Sequence, residues 1–171
     1  MKKAFLLLVL ISCLFSLKAQ QRYGFIDTEY ILNAIPEFKS AQEQLDKVSQ
    51  HWQVEIEQLY VQIEEMHTKF RADQVFLSPE MREKREKEIA EKEGQAQKLQ
   101  QKYFGRNGEL YKKRQELVKP IQDEIYDAVK DIAKAGNYGM IVDRANGPVI
   151  IYYNAKFDLS NKVLSKMGYK N

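Results

Sequence analysis

The sequence is poor in the residues from which metal, redox and cofactor sites are built. Cys13 is the one cysteine among 171 residues, so the chain can form no internal disulfide and offers no cysteine pair for zinc. The two histidines, His51 and His67, are 16 residues apart on one predicted helix, about 24 Å along its axis, and cannot share a metal ion. Gly105 and Gly108 follow no predicted strand and therefore do not indicate a phosphate-binding loop. We expect no metal, no cofactor and no enzymatic activity.

Proline and glycine are also scarce in the middle of the chain, which leaves almost no turn signal between residues 36 and 135. The exception is Leu77-Ser78-Pro79-Glu80. Ser78 can cap a new helix, and Pro79 is favoured at the first helical position. The end of one helix followed at once by the start of another predicts a tight helical hairpin with its tip near residues 77–80. Residues 36–77 would form an arm about 60 Å long, because a helix rises 1.5 Å per residue.

Apolar residues on the outgoing helix recur at spacings of three and four, and once of seven, which is typical of a coiled-coil seam. The return helix has fewer of them and includes Gly94, Gly105 and Gly108, each costing about 1 kcal/mol relative to alanine in a helix. These glycines and Pro120 predict bending, and alanine in their place is expected to stiffen the helix. The predicted outgoing seam is Leu45, Val48, Trp52, Ile56, Leu59, Ile63, Met66, Phe70 and Leu77. The predicted return positions are Ile89, Ala96, Leu99, Tyr103, Leu110, Leu117, Ile121, Ile125, Ala128 and Ile132.

The N-terminus carries the longest apolar run of the chain. Lys2 and Lys3 precede an apolar stretch over residues 4–15, and Ala19 offers a small residue at a cleavage site. This pattern predicts a signal peptide over residues 1–19 and export to the periplasm. An uncleaved anchor is one alternative, although the run is short for a membrane span. A lipid anchor at Cys13 is the other.

Charge is divided between the two predicted helices of the arm. Residues 37–78 carry a net charge of −4 and residues 79–119 carry +4, which favours antiparallel pairing. Cleavage after residue 19 would remove three lysines and lower the formal net charge from +3 to zero. Nucleic acid is therefore not an expected partner. A local charge of +5 remains over residues 97–119, so anionic lipid or lipopolysaccharide stays open as a partner.

Both ends of the mature chain contain short runs rich in β-branched and aromatic residues. Residues 23–27, 138–143 and 149–153 are each predicted to be strands, and Asn146-Gly147 predicts a hairpin turn between the last two. Short helices are expected over residues 28–35, capped by Asp27 or Thr28, and over residues 159–167, capped by Asp158 and ended by Gly168.

These strands are too few to form a stable sheet alone, and residues 149–153 are too apolar to remain exposed, so self-association is expected. Asp27 and Asp143 both end strands and could meet in space. Paired carboxylates can perform acid–base chemistry, but strand-end aspartates usually cap a helix or a turn. The candidate interface residues are Phe25, Ile26, Met140, Ile141, Val142, Val149, Ile150, Ile151 and Tyr152.

Several pieces of the chain, in their order and spacing, resemble the Skp/OmpH family of periplasmic chaperones. They are Gly24-Phe25-Ile26-Asp27, the tip Leu77-Ser78-Pro79-Glu80-Met81, Lys119-Pro120-Ile121 and the block over residues 136–164. The resemblance covers essentially the whole mature chain. It implies a homotrimer whose strands build a shared β body with three hairpins around a cavity. It also implies that unfolded outer-membrane proteins are held there without ATP, although familiar members are strongly basic and this mature chain is neutral.

The predicted fold is α+β: a long antiparallel helical hairpin that projects from a small β body completed by trimerisation. Residues 20–35 and 136–171 would form the β-rich association body with its C-terminal helix, and residues 36–135 the arm. A structural or adaptor coiled-coil protein of the cell envelope is the alternative function. Client binding needs arm residues that the seam does not use. The apolar candidates are Tyr60, Val75, Phe76, Phe104 and Tyr111, and the basic candidates are Lys98, Lys102, Arg106, Lys112, Lys113 and Arg114.

Overall fold

The computed structural model describes residues 22–145 and 150–169. The predicted signal peptide, Cys13, the Asn146-Gly147 turn and Val149 lie outside these residues. Most of the described chain is helical, as the predicted fold class requires. The elements in chain order are β1 (Arg22–Ile26), α1 (Thr28–Ala34), α2 (Pro36–Asp73), α3 (Pro79–Phe104), α4 (Glu109–Gly136), β2 (Tyr138–Asp143), a 3-10 turn (Ala155–Phe157) and α5 (Ser160–Lys166).

The chain divides into two compact units. Residues 36–121 form the arm unit, and the described parts of residues 1–35 and 122–171 form the sheet unit. The arm unit holds α2, α3 and the first part of α4. The remainder of α4 belongs to the sheet unit.

Helices α2 and α3 form the predicted hairpin. The Ser78 hydroxyl accepts a hydrogen bond from the Met81 amide at 3.3 Å, and Pro79 occupies the first position of α3, so the predicted tip is confirmed. Every residue of the predicted outgoing seam is buried or half-buried, as are all the predicted return positions. A second apolar cluster joins the start of α2 to α4 through Ala41, Leu45 and Val118.

The return helix is broken, whereas the sequence predicted one continuous helix. Helix α3 ends at Phe104 and α4 begins at Glu109, with Gly105 and Gly108 at the two ends of the gap. A Cβ atom on Gly105 would clash with the Gln101 carbonyl oxygen, and one on Gly108 would lie 2.7 Å from the Tyr103 carbonyl oxygen. The chain can approach itself this closely only without side chains at these positions. In contrast, α4 continues through Pro120.

The sheet is parallel, which corrects the predicted hairpin. β1 pairs with β2 in the register Phe25 to Val142 and Ile26 to Asp143. Parallel neighbours need a long crossover, and α1 to α4 supply it. Residues 150–153 form no strand, so the predicted third strand is wrong over its described part.

Specific contacts connect the segment over residues 153–159 to β1. Asp158 forms an isolated bridge beside Phe25, and the Leu159 amide donates to the Phe25 carbonyl at 2.7 Å. This edge of β1 is therefore already in use. The ring of Tyr153 packs against Phe25 with centroids 6.1 Å apart, so the segment contributes side-chain packing rather than a backbone ladder.

The two short helices of the sheet unit form its small core. Ile31 and Ile35 from the α1 region and Val163 and Leu164 from α5 are completely buried. Asp27 caps α1 by accepting from the Tyr30 amide at 2.9 Å, as predicted. Helix α5 spans Ser160–Lys166, one residue shorter at each end than predicted. Its N-cap position is Leu159 and not the predicted Asp158, whose carboxylate accepts from the Ser160 amide instead.

Candidate functional site

The best-defined surface of the arm unit is an aromatic cluster where α2 passes α3. The ring of Trp52 stacks on Tyr103, with centroids 4.6 Å apart and planes 6° from parallel. Trp52 also makes an edge-to-face contact with Phe104, with centroids 6.3 Å apart and planes 83° apart. Stacked and edge-to-face pairs each add stability beyond their buried area. The cluster therefore fixes the spacing of the two helices at this level.

Hydrogen bonds across the hairpin hold two tyrosines of this region. The Tyr103 hydroxyl donates to Glu55 Oε2 at 2.8 Å, and this bond, with the negative charge of Glu55, raises the pKa of Tyr103. The Tyr60 hydroxyl donates to Gln100 Oε1 at 3.2 Å. Both rings are thus held in place by a polar contact to the opposite helix.

A groove of about 380 Å³ opens beside this cluster. Tyr60 and Phe104, two predicted client-binding residues, line it together, so the structure brings them into one site. Ile56, a predicted seam residue, also lines the groove, whereas its three polar lining residues were not predicted. All six lining residues are Gln53, Ile56, Glu57, Tyr60, Gln100 and Phe104.

The other apolar candidates lie apart from the groove. Val75 and Phe76 lie in the turn between α2 and α3 and are 71% and 87% exposed. Tyr111 is an exposed residue of the first turn of α4. Val54 and Val61, which were not predicted, also expose more than half of their surface on α2. Their seven-residue spacing is a signal by which they could have been found.

The predicted basic residues are spread over α3, the break and α4. Lys112 Nζ lies 2.9 Å from Glu109 Oε1, and Lys113 Nζ lies 3.1 Å from Glu116 Oε2. Exposed pairs of this kind contribute little stability. The ammonium of Lys102 lies 5.4 Å above the Tyr103 ring. Lys98, Arg106 and Arg114 are exposed.

The candidate interface residues in the sheet unit differ in their availability. Ile26 is buried within the chain and so serves its core. Phe25, Ile141, Val142 and Ile150 are half-buried. Met140, Ile151 and Tyr152 are strongly exposed, Ile151 to 96%. These last three are the ones that a partner could cover most readily.

The strand-end aspartates have structural partners. Asp143 accepts from the Thr28 hydroxyl at 2.6 Å and from the amides of Thr28 and Ala145 at 3.1 Å. Burial opposes ionisation of Asp143, but these hydrogen bonds outweigh it and lower the pKa of the carboxyl. Asp27 is occupied by its capping bond and by Arg144. Both carboxylates therefore cap a helix or connect segments of the chain, which is the structural role expected of aspartates at strand ends.

Arg144 links three segments of the sheet unit, and no sequence signal identified it. Its Nη2 lies 3.1 Å from Asp27 Oδ2 and 3.5 Å from Asp158 Oδ2. Its guanidinium lies 4.6 Å above the Tyr153 ring and also contacts the hydroxyl of that tyrosine. One planar cation thus ties the end of β2 to β1 and to the segment before α5.

In the part of the chain that the structure describes, no three histidine, cysteine or acidic side chains are placed to hold a metal ion. His67 instead lies 2.8 Å from Glu93 across the hairpin. Within residues 22–145 and 150–169, no helix has the length and apolar character needed to cross a bilayer.

Comparisons with known proteins agree with this architecture. A protein from Caulobacter crescentus CB15, proposed to be an OmpH-like outer membrane chaperone, has a solved structure that matches with a TM-score of 0.62 at 14% sequence identity. The match covers 86% of this chain and 83% of the other. No curated protein matches significantly. The model of the family described as outer membrane protein (OmpH-like) matches residues 22–167. The chain therefore belongs to the OmpH-like family.

Proposed function

We propose that this protein is an ATP-independent holdase of the periplasm that binds unfolded outer-membrane proteins and prevents their aggregation. The observation that carries the proposal is the excess of apolar side chains on the arm unit beyond those used in its seam. Phe76, Val75 and Tyr60 are all exposed, although the seam between α2 and α3 is complete without them. Membership of the OmpH-like family supports the same function.

Weak, dispersed contacts suit a client that has no folded form in water. A strand of an outer-membrane barrel exposes alternating apolar residues for which the aqueous periplasm offers no partner. Apolar side chains spaced along α2 and its tip can shield such strands one at a time. Binding of this kind needs no cofactor and no chemical step, because no single contact is strong enough to prevent release.

We further propose that the protein is exported by a cleaved signal peptide and functions as a homotrimer joined through its sheet unit. Two paired strands are marginal by themselves. Among the described residues, the outer edge of β2 has no strand beside it, and Met140, Ile151 and Tyr152 present exposed apolar surface in the same unit. A second and third copy would cover this surface.

Light scattering of a barrel protein diluted out of urea tests the function. The protein should suppress aggregation at about one trimer per client, without nucleotide or metal. Replacing Phe76 with alanine should weaken suppression, and Phe157→Ala should not, because Phe157 is an exposed aromatic residue of the sheet unit. Unchanged aggregation across several barrel clients would contradict the proposal and leave a structural coiled-coil function in its place.

A further inference from the structure

We propose that the groove between Tyr60 and Phe104 is a subsite for one aromatic side chain of an unfolded barrel strand, preferably one flanked by lysine or arginine. The inference rests on the proposed holdase function and makes it specific. The arm would then not be a uniform apolar surface. It would recognise a particular feature of its clients at a particular place.

The groove is formed by the chain's own contacts rather than by a ligand. Phe104 is set by its edge-to-face contact with Trp52, which in turn stacks on Tyr103. Tyr60 is oriented by its hydrogen bond to Gln100, so the wall from α2 and the wall from α3 are connected across the opening. Ligand sites that are already formed bind with a smaller loss of conformational entropy.

The lining matches an aromatic ring that carries a polar tip. Ile56, Tyr60 and Phe104 offer apolar and aromatic surface, while the amides of Gln53 and Gln100 can donate and accept hydrogen bonds. Tyrosine and tryptophan combine an apolar body with one polar group that seeks a partner. The volume of about 380 Å³ suits a single side chain from an extended strand rather than a folded surface.

Charge selects the neighbours of that ring. Glu57 is the one charged side chain among the described residues that line the groove. A lysine or arginine beside the bound ring would be attracted to this carboxylate, and an aspartate or glutamate would be repelled. The basic residues of α3 and α4 would instead attract acidic side chains of a client.

Barrel strands supply this chemistry in quantity. Their lipid-facing surface carries girdles of aromatic residues at both membrane interfaces, next to polar positions. An unfolded barrel therefore presents many amphipathic rings along one chain. A subsite that holds one ring at a time could move among them without needing any particular sequence.

Trp52 provides a built-in reporter for the test, because it is the only tryptophan of the chain and contacts Phe104. The probe is a nine-residue peptide of alternating threonine and valine with a central tyrosine flanked by lysines. Two matched peptides replace the tyrosine by alanine or the lysines by glutamates. We expect a saturable change in Trp52 emission with the tyrosine–lysine peptide and binding weaker by about tenfold with each of the other two, the size of one aromatic or charge contact.

Variants locate the effect. Tyr60→Ala should weaken binding of the tyrosine–lysine peptide about tenfold, whereas Tyr126→Ala, which removes an exposed tyrosine outside the groove, should not. Glu57→Gln changes an exposed side chain and should remove the preference for lysine over glutamate while leaving the preference for tyrosine. Equal binding of the tyrosine and alanine peptides, or equal losses in the two tyrosine variants, would overturn the subsite.

The aggregation assay separates this inference from the proposed function. If the protein suppresses aggregation but shows no preference for the tyrosine peptide, the subsite is wrong and the holdase function stands. If the peptide binds as expected but aggregation of barrel clients is unchanged, the subsite stands and the holdase function is wrong.

Discussion

At the scale of single residues, polar groups in the sheet unit are placed so that each one ends or joins a segment. Asp27 caps α1, and Asp143 accepts a hydrogen bond from the Thr28 amide at the start of the same helix. Arg144 forms ion pairs with both Asp27 and Asp158. The Asp158 carboxylate also accepts from the Ser160 amide at 2.9 Å, where α5 begins. Directed bonds of this kind fix geometry in a unit whose apolar core is small.

The lowered pKa of Asp143 predicts a loss of stability in acid. Because the folded pKa lies below the unfolded value of about 3.9, Asp143 stabilises the fold fully above that value and loses this effect as the pH falls through the folded pKa. Asp143→Asn should lower the free energy of unfolding at pH 7 by about 1 kcal/mol and make its dependence on acid pH shallower. Urea unfolding followed by circular dichroism from pH 7 to pH 3 measures both.

Asp127→Asn is the control, because that carboxylate is largely exposed and lies 3.9 Å from Lys130. It should change the free energy of unfolding by less than about 0.5 kcal/mol at pH 7. If Asp143→Asn behaved like the control at every pH, the hydrogen bonds from Thr28 and Ala145 would not be significant for stability.

At the scale of elements, the hairpin follows from the sequence because its determinants are local. Ser78 and Pro79 start α3, and the repeat of apolar residues sets which face is buried, so both were predicted. The break at Gly105 could not be predicted from propensity alone. A glycine inside a helix and a glycine that ends one have the same sequence signature, and only the backbone contacts of Gln101 and Tyr103 distinguish them.

The predicted strand pairing was wrong for the opposite reason, because the residues that determine it are distant in sequence. Asn146-Gly147 favours a local hairpin, but β2 pairs with β1, which is more than a hundred residues away.

The residues that line the groove were predicted only in part. Tyr60 and Phe104 were chosen for their leftover apolar character, whereas Gln53, Glu57 and Gln100 are polar helix residues with no feature that marks them.

Two glycines of the return helix should respond oppositely to alanine. Gly94 lies inside α3 with open space around a Cβ atom, so Gly94→Ala should raise the stability of the arm by about 1 kcal/mol. Gly105→Ala should lower it by about 1–3 kcal/mol, because the new methyl group would displace the end of α3. Urea unfolding followed by Trp52 fluorescence measures both. Stabilisation by both substitutions would mean that the break at Gly105 is not required.

At the scale of the whole molecule, apolar surface is left uncovered in both units, and the two surfaces have different proposed occupants. Ile151 and Tyr152 in the sheet unit would meet other copies of the chain, whereas Phe76 and the groove in the arm unit would meet clients. A patch that binds copies is always covered, whereas a patch that binds clients must be free again after release. This difference lets the two be tested separately.

Ile151→Asp tests assembly, because Ile151 is 96% exposed in the single chain and its substitution is not expected to unfold the chain. We expect sedimentation to change from trimer to monomer at micromolar concentration, since an unpaired charge in an apolar interface costs several kcal/mol. Val61→Asp, at a half-exposed site on α2, should leave the trimer intact. A wild-type protein that sediments as a stable monomer would contradict trimerisation.

Site-directed photo-crosslinking tests the central claim, that the arm holds unfolded barrel proteins, most directly. A photoreactive phenylalanine analogue would replace Phe76, which is 87% exposed at the hairpin tip, or Phe157, which is 48% exposed in the sheet unit. With an unfolded barrel client present, the analogue at position 76 should crosslink strongly to the client, and the one at position 157 should not. Equal crosslinking from both positions, or none from position 76, would contradict the claim that clients are held by the arm.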